Sequence, residues 1–212
     1  MCNHQYKNIV LPTAYLPPIE YFAYLVNADE IQIEIQETYP KQTYRNRCKI
    51  LTANGTLSLS IPVTKIHGNK TRTKDIQISY MEDWQKNHWR AIESAYNASP
   101  FYMYFKDELQ EFYKATYQSL AEFNFSLLKQ LLNFIGYTKE ITFTEEYTKE
   151  TNEIIDLRSN FNPKKESSFI CPKYFQVFED KHGFQNNLSI IDLLFNEGPN
   201  TLNYLTEIQN PI

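Results

Sequence analysis

The stretch Glu30–Gln36 constrains the fold of this chain more than any other segment does. Isoleucine alternates with a charged or amide residue along all of it, so that Ile31, Ile33 and Ile35 share one side. Because successive side chains of a β-strand point to opposite faces, this period of two predicts a half-buried strand. Its apolar side needs a second layer, and we expect helices to pack against it.

The dipeptide Asn54-Gly55 predicts a hairpin further along the chain. It joins the segments Tyr44–Ala53 and Thr56–Val63, and its two residues suit the positive φ angles of a type I′ turn. Such a turn sets Cys48 opposite Ile61. It thereby fixes which side chains of both strands face the core.

A further turn near Tyr39-Pro40 would place the first hairpin strand beside the alternating stretch, with Glu34 opposite Arg45. Three strands then share one apolar and one polar face, and a one-residue slip would invert a whole strand. We therefore predict an α/β or α+β fold whose small mixed sheet includes an antiparallel meander over about residues 30–63. At 212 residues, the chain is expected to form a single domain over residues 1–212.

Apolar residues at helical spacing predict several helices that pack on this sheet. A short strand at Ile9–Leu11 precedes the first helix, and further strands are expected within Asp75–Tyr80 and Glu140–Thr144. Near the end, Ser189–Asp192 resembles a capping box that opens a helix closed by Gly198-Pro199. The other helices are expected within Ile19–Ala28, Asp83–Ala95, Leu109–Leu120 and Leu127–Ile135.

The segment Lys41–Lys49 carries a row of positive charge. As a strand, it places four cations on one face: Lys41, Arg45, Arg47 and Lys49. Side chains two positions apart on a strand lie roughly 6.7 Å apart, so Arg45 and Arg47 could clamp a phosphate or a carboxylate. Alternatively, cross-strand pairing with Glu34 and Glu30 would make them surface ion pairs, each contributing only about 0.2–1 kcal/mol.

His88 is a candidate general base. It lies on the apolar side of its helix, one turn after Trp84, where it could take a proton or hydrogen-bond a ligand. The alternative is a histidine whose hydrogen bonds are satisfied in the core. The basic segment Lys65–Lys74 could close over a bound anion or remain a solvated loop, and capping explains Asp192 in the first turn of its helix.

Composition limits the classes of function. The formal net charge of −4 argues against a broad basic surface, so we expect no nucleic-acid partner. Cys2, Cys48 and Cys171 are too far apart in the chain for a zinc site, and no helical pair of histidines occurs, so no metal and no cofactor are expected. Without an apolar leader or a run of about 18 apolar residues, we expect a cytoplasmic chain with reduced thiols and no membrane span.

Ordered motifs along nearly the whole chain carry a resemblance to a known family. The first is Tyr39-x-Lys41-x-x-Tyr44-x-Asn46-Arg47, preceded by Tyr15-Leu16-Pro17. Two more follow it: Trp84-x-x-x-His88-Trp89-x-x-Ile92 with Ala95-Tyr96, and Gly183-Phe184-x-x-Asn187-Leu188-Ser189-Ile190-Ile191-Asp192. With these motifs the chain resembles the WbqC-like family, whose Lys-x-x-x-x-Asn-Arg pattern Lys41, Asn46 and Arg47 match position by position.

The resemblance implies a function. WbqC-like proteins are bacterial and often encoded among genes for surface-polysaccharide assembly, and some carry a glycine-transferase label. The implied reaction is transfer of a small acyl or glycyl group to an activated sugar. Arg45 and Arg47 would bind the phosphates of a nucleotide-linked sugar, and Lys41 would stabilise developing negative charge. His88 or Glu37 would take the amine proton. The predicted site has His88 and Lys41 as catalytic residues and Tyr15, Arg45, Asn46 and Arg47 as substrate-binding residues.

One segment departs from the family pattern. Where relatives commonly begin the first turn with His-Gln-Pro, this chain has Leu11-Pro12-Thr13. A histidine and a glutamine that act in relatives cannot act here, so the alternative is a non-catalytic binding or scaffold protein of the same pathway. In both cases the expected partner is a small anionic ligand such as a nucleotide-linked sugar. The oligomeric state does not follow from the sequence.

Overall fold

The computed structural model describes residues 6–147, 154–165 and 167–208, which form an α/β fold. The strands are β1 (Tyr6–Pro12), β2 (Ala28–Glu34), β3 (Arg47–Thr52), β4 (Gly55–Ser60), β5 (Val63–Lys65), β6 (Ile76–Ile78), β7 (Ile141–Phe143) and β8 (Ile155–Asp156). The helices are α1 (Ile19–Val26), α2 (Trp84–Tyr96), α3 (Tyr102–Lys114), α4 (Leu120–Phe134), α5 (Glu179–His182), α6 (Ile190–Glu197) and α7 (Thr201–Glu207). The predicted α/β class, with mixed strand pairing and packed helices, is confirmed.

A four-stranded parallel sheet of order β7-β2-β1-β8 lies at the centre of the fold. β1 and β2 pair with Ile9 beside Ile31 and Leu11 beside Ile33, and α1 connects them. α1 begins after Pro18, because a proline at a helix start lacks only an N–H that would have no helical partner. Every residue of α1 is buried, since it packs against β1, β2, α6 and α7.

The alternating stretch is confirmed as a strand, but its predicted neighbours are wrong. β2 lies between β1 and β7 and is parallel to both. The antiparallel meander over residues 30–63 therefore does not form, and Glu34 does not face Arg45 across a strand pair. Alternation specifies which side chains are buried, whereas it leaves open the direction of the adjacent strand.

β3 and β4 form the predicted hairpin with a register shifted by two residues. Cys48 pairs with Leu59 and not with Ile61. A type I′ turn would need positive φ at both Asn54 and Gly55, but only Gly55 has it, at 100°. Because the shift is even, each side chain keeps the face that the pattern predicted.

The cationic segment is a strand only from Arg47 onward. Residues 41–46 form bends and a turn instead, which leaves Arg45 buried and Lys41 exposed. The predicted row of four cations on one strand face is therefore wrong, since only Arg47 and Lys49 share a face of β3. A run of alternating cations in the sequence is compatible with either a strand or a compact turn, so it does not predict which of the two forms.

α6 is confirmed, but it lacks the predicted capping box. The Ser189 hydroxyl donates to the Leu16 carbonyl (2.9 Å). Asp192 is turned into the core, where it accepts hydrogen bonds from the hydroxyls of Tyr96 (3.0 Å) and Tyr174 (2.7 Å). Burial raises the pKa of Asp192 to about 6 although both tyrosines act against this shift.

The basic segment between β5 and β6 is attached to the chain that follows β2. The Thr73 N–H donates to the Glu37 carbonyl and the Lys74 N–H to the Ile35 carbonyl, both at 2.9 Å. Two 3₁₀ turns, Gly68–Lys70 and Thr73–Asp75, lie between β5 and β6. The backbone of this segment is thus hydrogen-bonded to the chain after β2, and its closure over an anion stays a prediction.

All four strands of the central sheet run in one direction, so their carboxyl ends lie along one edge. These ends are Pro12, Glu34, Phe143 and Asp156. In open parallel sheets, ligands bind outside the carboxyl ends of the strands. This edge is therefore the first candidate for a functional site.

Candidate functional site

Five charged side chains form a cluster at the carboxyl edge of the sheet. This charge cluster consists of Glu34, Glu37, Arg45, Asp156 and Arg158. Arg158 donates from Nε to Asp156 Oδ1 (2.8 Å) and from Nη1 to Glu34 Oε2 (3.1 Å). Arg45 donates from Nε to Glu37 Oε1 (2.7 Å) and from Nη2 to the Arg158 carbonyl (3.2 Å). Each carboxylate of the cluster is thus paired with an arginine.

Glu34 is the most enclosed member of the charge cluster, with no exposed surface. Its Oε1 also accepts hydrogen bonds from Thr144 Oγ1 (3.0 Å) and from the Glu37 N–H (3.2 Å). Burial on its own would raise the pKa of Asp156, but hydrogen bonds from Arg158 outweigh it and hold that pKa below its ordinary value. The cluster is therefore satisfied internally and stabilises the edge of the sheet.

A groove of about 830 Å³ lies beside the charge cluster, and Asp156 forms part of its wall. The groove is bounded by the loop after β8, the first turns of α1, the β3–β4 hairpin and residues 185–188. Its described lining is rich in amide and hydroxyl side chains: Ser159, Asn160, Asn162, Ser167, Ser168, Gln185, Asn186 and Asn187. These groups both donate and accept hydrogen bonds, as a polyhydroxylated ligand requires.

Lysines and aromatic rings complete the groove. The lysines are Lys49, Lys164 and Lys165, and the aromatic residues are Tyr24, Tyr44 and Phe161. A tyrosine offers apolar area together with a polar edge. The lysine ammonium groups carry positive charge and are able to pair with an anionic ligand.

Glu20 is the carboxylate of the groove that no arginine pairs with among the described ion pairs. It is 9% exposed, and its Oε2 accepts hydrogen bonds from Ser167 Oγ (2.7 Å) and Asn187 Nδ2 (2.8 Å). The Glu20 N–H donates in turn to Asn187 Oδ1 (2.9 Å). Pro18, which precedes α1, has no side-chain acceptor for this N–H. Burial raises the pKa of Glu20 despite these two hydrogen bonds, and a raised carboxyl pKa is a feature of groups that transfer protons.

Tyr15 and His88, both predicted site residues, are in direct contact. The Tyr15 hydroxyl lies 3.0 Å from His88 Nδ1 and 2.8 Å from the Tyr113 hydroxyl. All three residues are buried, and Trp84 packs edge-on against His88 with ring centroids 5.2 Å apart. Burial lowers the pKa of His88 to about 4, so its ring is neutral at pH 7. This environment is that of a core histidine; its catalytic role stays a prediction.

The other four predicted site residues lie in the turn before β3 and at the start of that strand. Arg45 is in the charge cluster. The Asn46 amide donates to the Ile61 carbonyl (2.8 Å), Arg47 begins β3, and Lys41 is exposed. None of the six predicted residues is in the described lining of the groove, so their roles in a site stay predictions.

The groove residues were missed because they come from segments that are distant in the sequence and meet only in the folded chain. Two signals pointed towards them. The motif in the chain's tail contains Asn187, and the polar stretch after β8 ends in Lys164-Lys165. Glu20 gave no signal, because an acidic residue in a first helical turn is ordinary.

Three further observations concern predicted absences. Within the described residues, no group of three or more His, Cys, Asp or Glu side chains is arranged to hold a metal ion. None of the described helices combines the length and apolarity needed to cross a membrane. Cys48 and Cys171 are free and buried, and Cys2 lies outside the described residues.

The fold and the groove define an α/β protein with a polar cleft beside the carboxyl edge of a parallel sheet. The model of the WbqC-like protein family matches residues 13–168, and the chain belongs to that family. It is similar to the uncharacterized protein Rv1507c of Mycobacterium tuberculosis (strain ATCC 25618 / H37Rv), at 23% identity over 94% of this chain and 97% of that protein. No solved structure matches the chain.

Proposed function

We propose that this chain binds a nucleotide-linked amino sugar in the groove and transfers a small acyl group, such as glycyl, to its amine. The observation that carries the proposal is the groove itself. It combines amide and hydroxyl groups, tyrosine rings and three lysines around Glu20, a carboxylate with no arginine partner among the described ion pairs. The pathway, cytoplasmic assembly of a surface polysaccharide, comes from the family resemblance.

The groove supplies each kind of contact that such a ligand needs. Lys164 and Lys165 lie together on the loop after β8, where they bind the phosphates. Amide and hydroxyl groups bind the sugar hydroxyls. Tyr24 and Tyr44 lie near Glu20. Burial raises the pKa of both hydroxyls to about 12, and the charge of Glu20 adds to this shift. They stay protonated and act as hydrogen-bond donors.

Glu20 takes the proton that the reaction releases. As the amine nitrogen forms a bond to the acyl carbon, the bond from that carbon to the leaving group breaks, and the leaving group departs with the electron pair. The nitrogen then loses one proton to the Glu20 carboxylate. A carboxyl pKa raised by burial makes Glu20 a better base than a solvated glutamate. Glu20 suits this role better than the predicted His88, which is buried against Tyr15 and Trp84.

A second candidate is a non-catalytic binding protein of the same pathway. The segment Leu11-Pro12-Thr13, where relatives commonly have His-Gln-Pro, favours this second candidate. Here Leu11 is fully buried, the Pro12 carbonyl accepts the Tyr21 hydroxyl (3.0 Å), and the Thr13 hydroxyl accepts the Asn124 amide (3.2 Å). These contacts are structural, so any chemistry that relatives perform at this segment is absent from this chain.

Product mass tests the proposal. The full chain is incubated with a UDP-linked amino sugar and activated glycine, and a sugar product heavier by one glycyl group is sought. We expect product with the unaltered chain and a loss on the order of 10²-fold with Glu20→Gln. Glu140→Gln, at an exposed position, is the matched control. Normal sugar-nucleotide binding without product would overturn transfer and support the second candidate.

A further inference from the structure

Three cations that take part in no described ion pair lie near Tyr39 or near one another. This Tyr39 cluster consists of Tyr39, Lys41, Arg47 and Lys65. Lys65 Nζ lies 4.9 Å from the centroid of the Tyr39 ring. Lys41 is close enough to lower the pKa of Lys65, in addition to a larger effect of desolvation. None of the ion pairs between described residues involves any of the three cations.

Two polar atoms of the Tyr39 cluster are buried without a partner. Tyr39 is only 5% exposed, and its hydroxyl has no hydrogen-bond partner among the described residues. The Nε of Arg47 is also buried and has no hydrogen-bond partner among the described residues. Burial raises the pKa of Tyr39 to about 12, while the charges of Arg45 and Arg47 act to lower it, so the hydroxyl is a donor at neutral pH. Buried donors are nearly always paired in folded proteins.

Backbone hydrogen bonds assemble the Tyr39 cluster from three segments. The Tyr39 N–H donates to the Thr71 carbonyl (3.0 Å) and thereby attaches the loop after β5. The Ile61 N–H donates to the Asn46 carbonyl (2.7 Å), and the Asn46 amide returns a hydrogen bond to Ile61 (2.8 Å). These bonds fix the start of β3, where Arg47 lies. The backbone that carries Tyr39 and Arg47 is therefore fixed before any ligand arrives, which reduces the entropy lost on binding.

We propose that Tyr39, Lys41, Arg47 and Lys65 form a binding site for a phosphate group. A phosphate offers several acceptor oxygens to the phenol and the guanidinium, and its negative charge neutralises cations that otherwise repel each other. A carboxylate has fewer oxygens and less negative charge than a phosphate, so it neutralises the three cations less completely. The inference does not depend on the proposed function, because none of these residues lines the described groove.

Calorimetric titration of the full chain with inorganic phosphate, at constant ionic strength, tests the site. Pyrophosphate and acetate serve as the other two ligands. We expect phosphate and pyrophosphate to bind and acetate to bind at least about tenfold more weakly. Tyr39→Phe removes one hydroxyl and is expected to weaken phosphate binding by about tenfold, as is Lys65→Gln. Lys70→Gln, in the same loop but exposed, is the matched control and should bind phosphate normally.

The thermal stability of Tyr39→Phe separates this site from a packing role. Without phosphate, the variant should be as stable as the unaltered chain or slightly more so, because it loses an unpartnered buried hydroxyl. The double variant Lys164→Gln/Lys165→Gln removes any phosphate that binds at the groove lysines, so the phosphate bound at the Tyr39 cluster should remain. The proposal is overturned if no phosphate binds, if acetate binds equally well, or if binding is lost in the groove variant and kept in Tyr39→Phe.

Discussion

The charge cluster and the groove are adjacent and share Asp156, but their buried carboxylates differ in whether an arginine pairs with them. In the cluster, each carboxylate is paired with Arg45 or Arg158. In the groove, Glu20 is held only by neutral groups, and burial raises its pKa. A paired buried charge contributes to the fold, whereas an unpaired one is costly and persists where it has a use. This contrast favours a structural role for the cluster and supports the proposal that the groove binds the ligand.

The largest expected effect comes from breaking the charge cluster. Arg158→Met leaves Glu34 buried without its cation, so the free energy of unfolding should fall by about 3–5 kcal/mol. Urea denaturation followed by circular dichroism measures this free energy. The control Lys164→Met, at an exposed position of the same loop, should change the free energy of unfolding by less than about 0.5 kcal/mol.

The pairing of Glu34 with Arg158 can be separated from general damage by a second substitution. Glu34→Gln in the Arg158→Met background should recover part of the loss, because it removes the buried charge. If Arg158→Met alone costs no more than its control, the cluster is not what stabilises the carboxyl edge.

An intermediate effect is expected in the enclosed network behind α2. Tyr15→Phe leaves His88 Nδ1 and the Tyr113 hydroxyl without their shared partner, and should lower the free energy of unfolding by about 1–2 kcal/mol. Tyr147→Phe, at an exposed ring, is the control. If Tyr15→Phe abolished turnover without loss of stability, the predicted role of Tyr15 in substrate binding would be supported over a structural one.

The smallest effects are in pH dependence, where the two regions should differ in sign. The pKa of Glu20 is raised, so its contribution to stability is present at low pH and is lost as pH rises through the raised value. The pKa of Asp156 is lowered, so its contribution is present at neutral pH and is lost as pH falls through the lowered value.

Denaturation at pH values from 3 to 7 compares the two carboxylates. Relative to the unaltered chain, Glu20→Gln should gain stability as pH rises, by less than about 1 kcal/mol. Asp156→Asn should be destabilised most at neutral pH, and its deficit should shrink towards pH 3. Parallel curves for the two variants would contradict the contrast between the regions.

The parts of the fold that local patterns specify were predictable from the sequence. Alternation identified β2, and the Asn54-Gly55 signal located the β3–β4 hairpin to within a shift of two residues. The parallel partners of β2 were missed, because Ile141–Phe143 is short and more than 100 residues away. The partner β1 could have been found from the rule that a strand, a helix and a strand in succession favour parallel pairing.

The site was less predictable, because charge on a sequence does not reveal its partner. Arg45 and Arg47 look equivalent in the cationic segment. A turn buries Arg45 beside Glu37, while Arg47 begins a strand. Glu20 acquires its environment from Ser167 and Asn187, about 150 residues later in the chain. Long-range contacts of this kind carry no local signature.

Calorimetric titration with a UDP-linked amino sugar tests the central claim, that the groove is the ligand site, most directly. The unaltered chain should bind, and the double variant Lys164→Gln/Lys165→Gln should bind about tenfold more weakly or worse at equal stability, because two charge-assisted contacts are lost. Lys70→Gln should bind normally. No binding by the unaltered chain, or equal affinity in the double variant, would contradict the account.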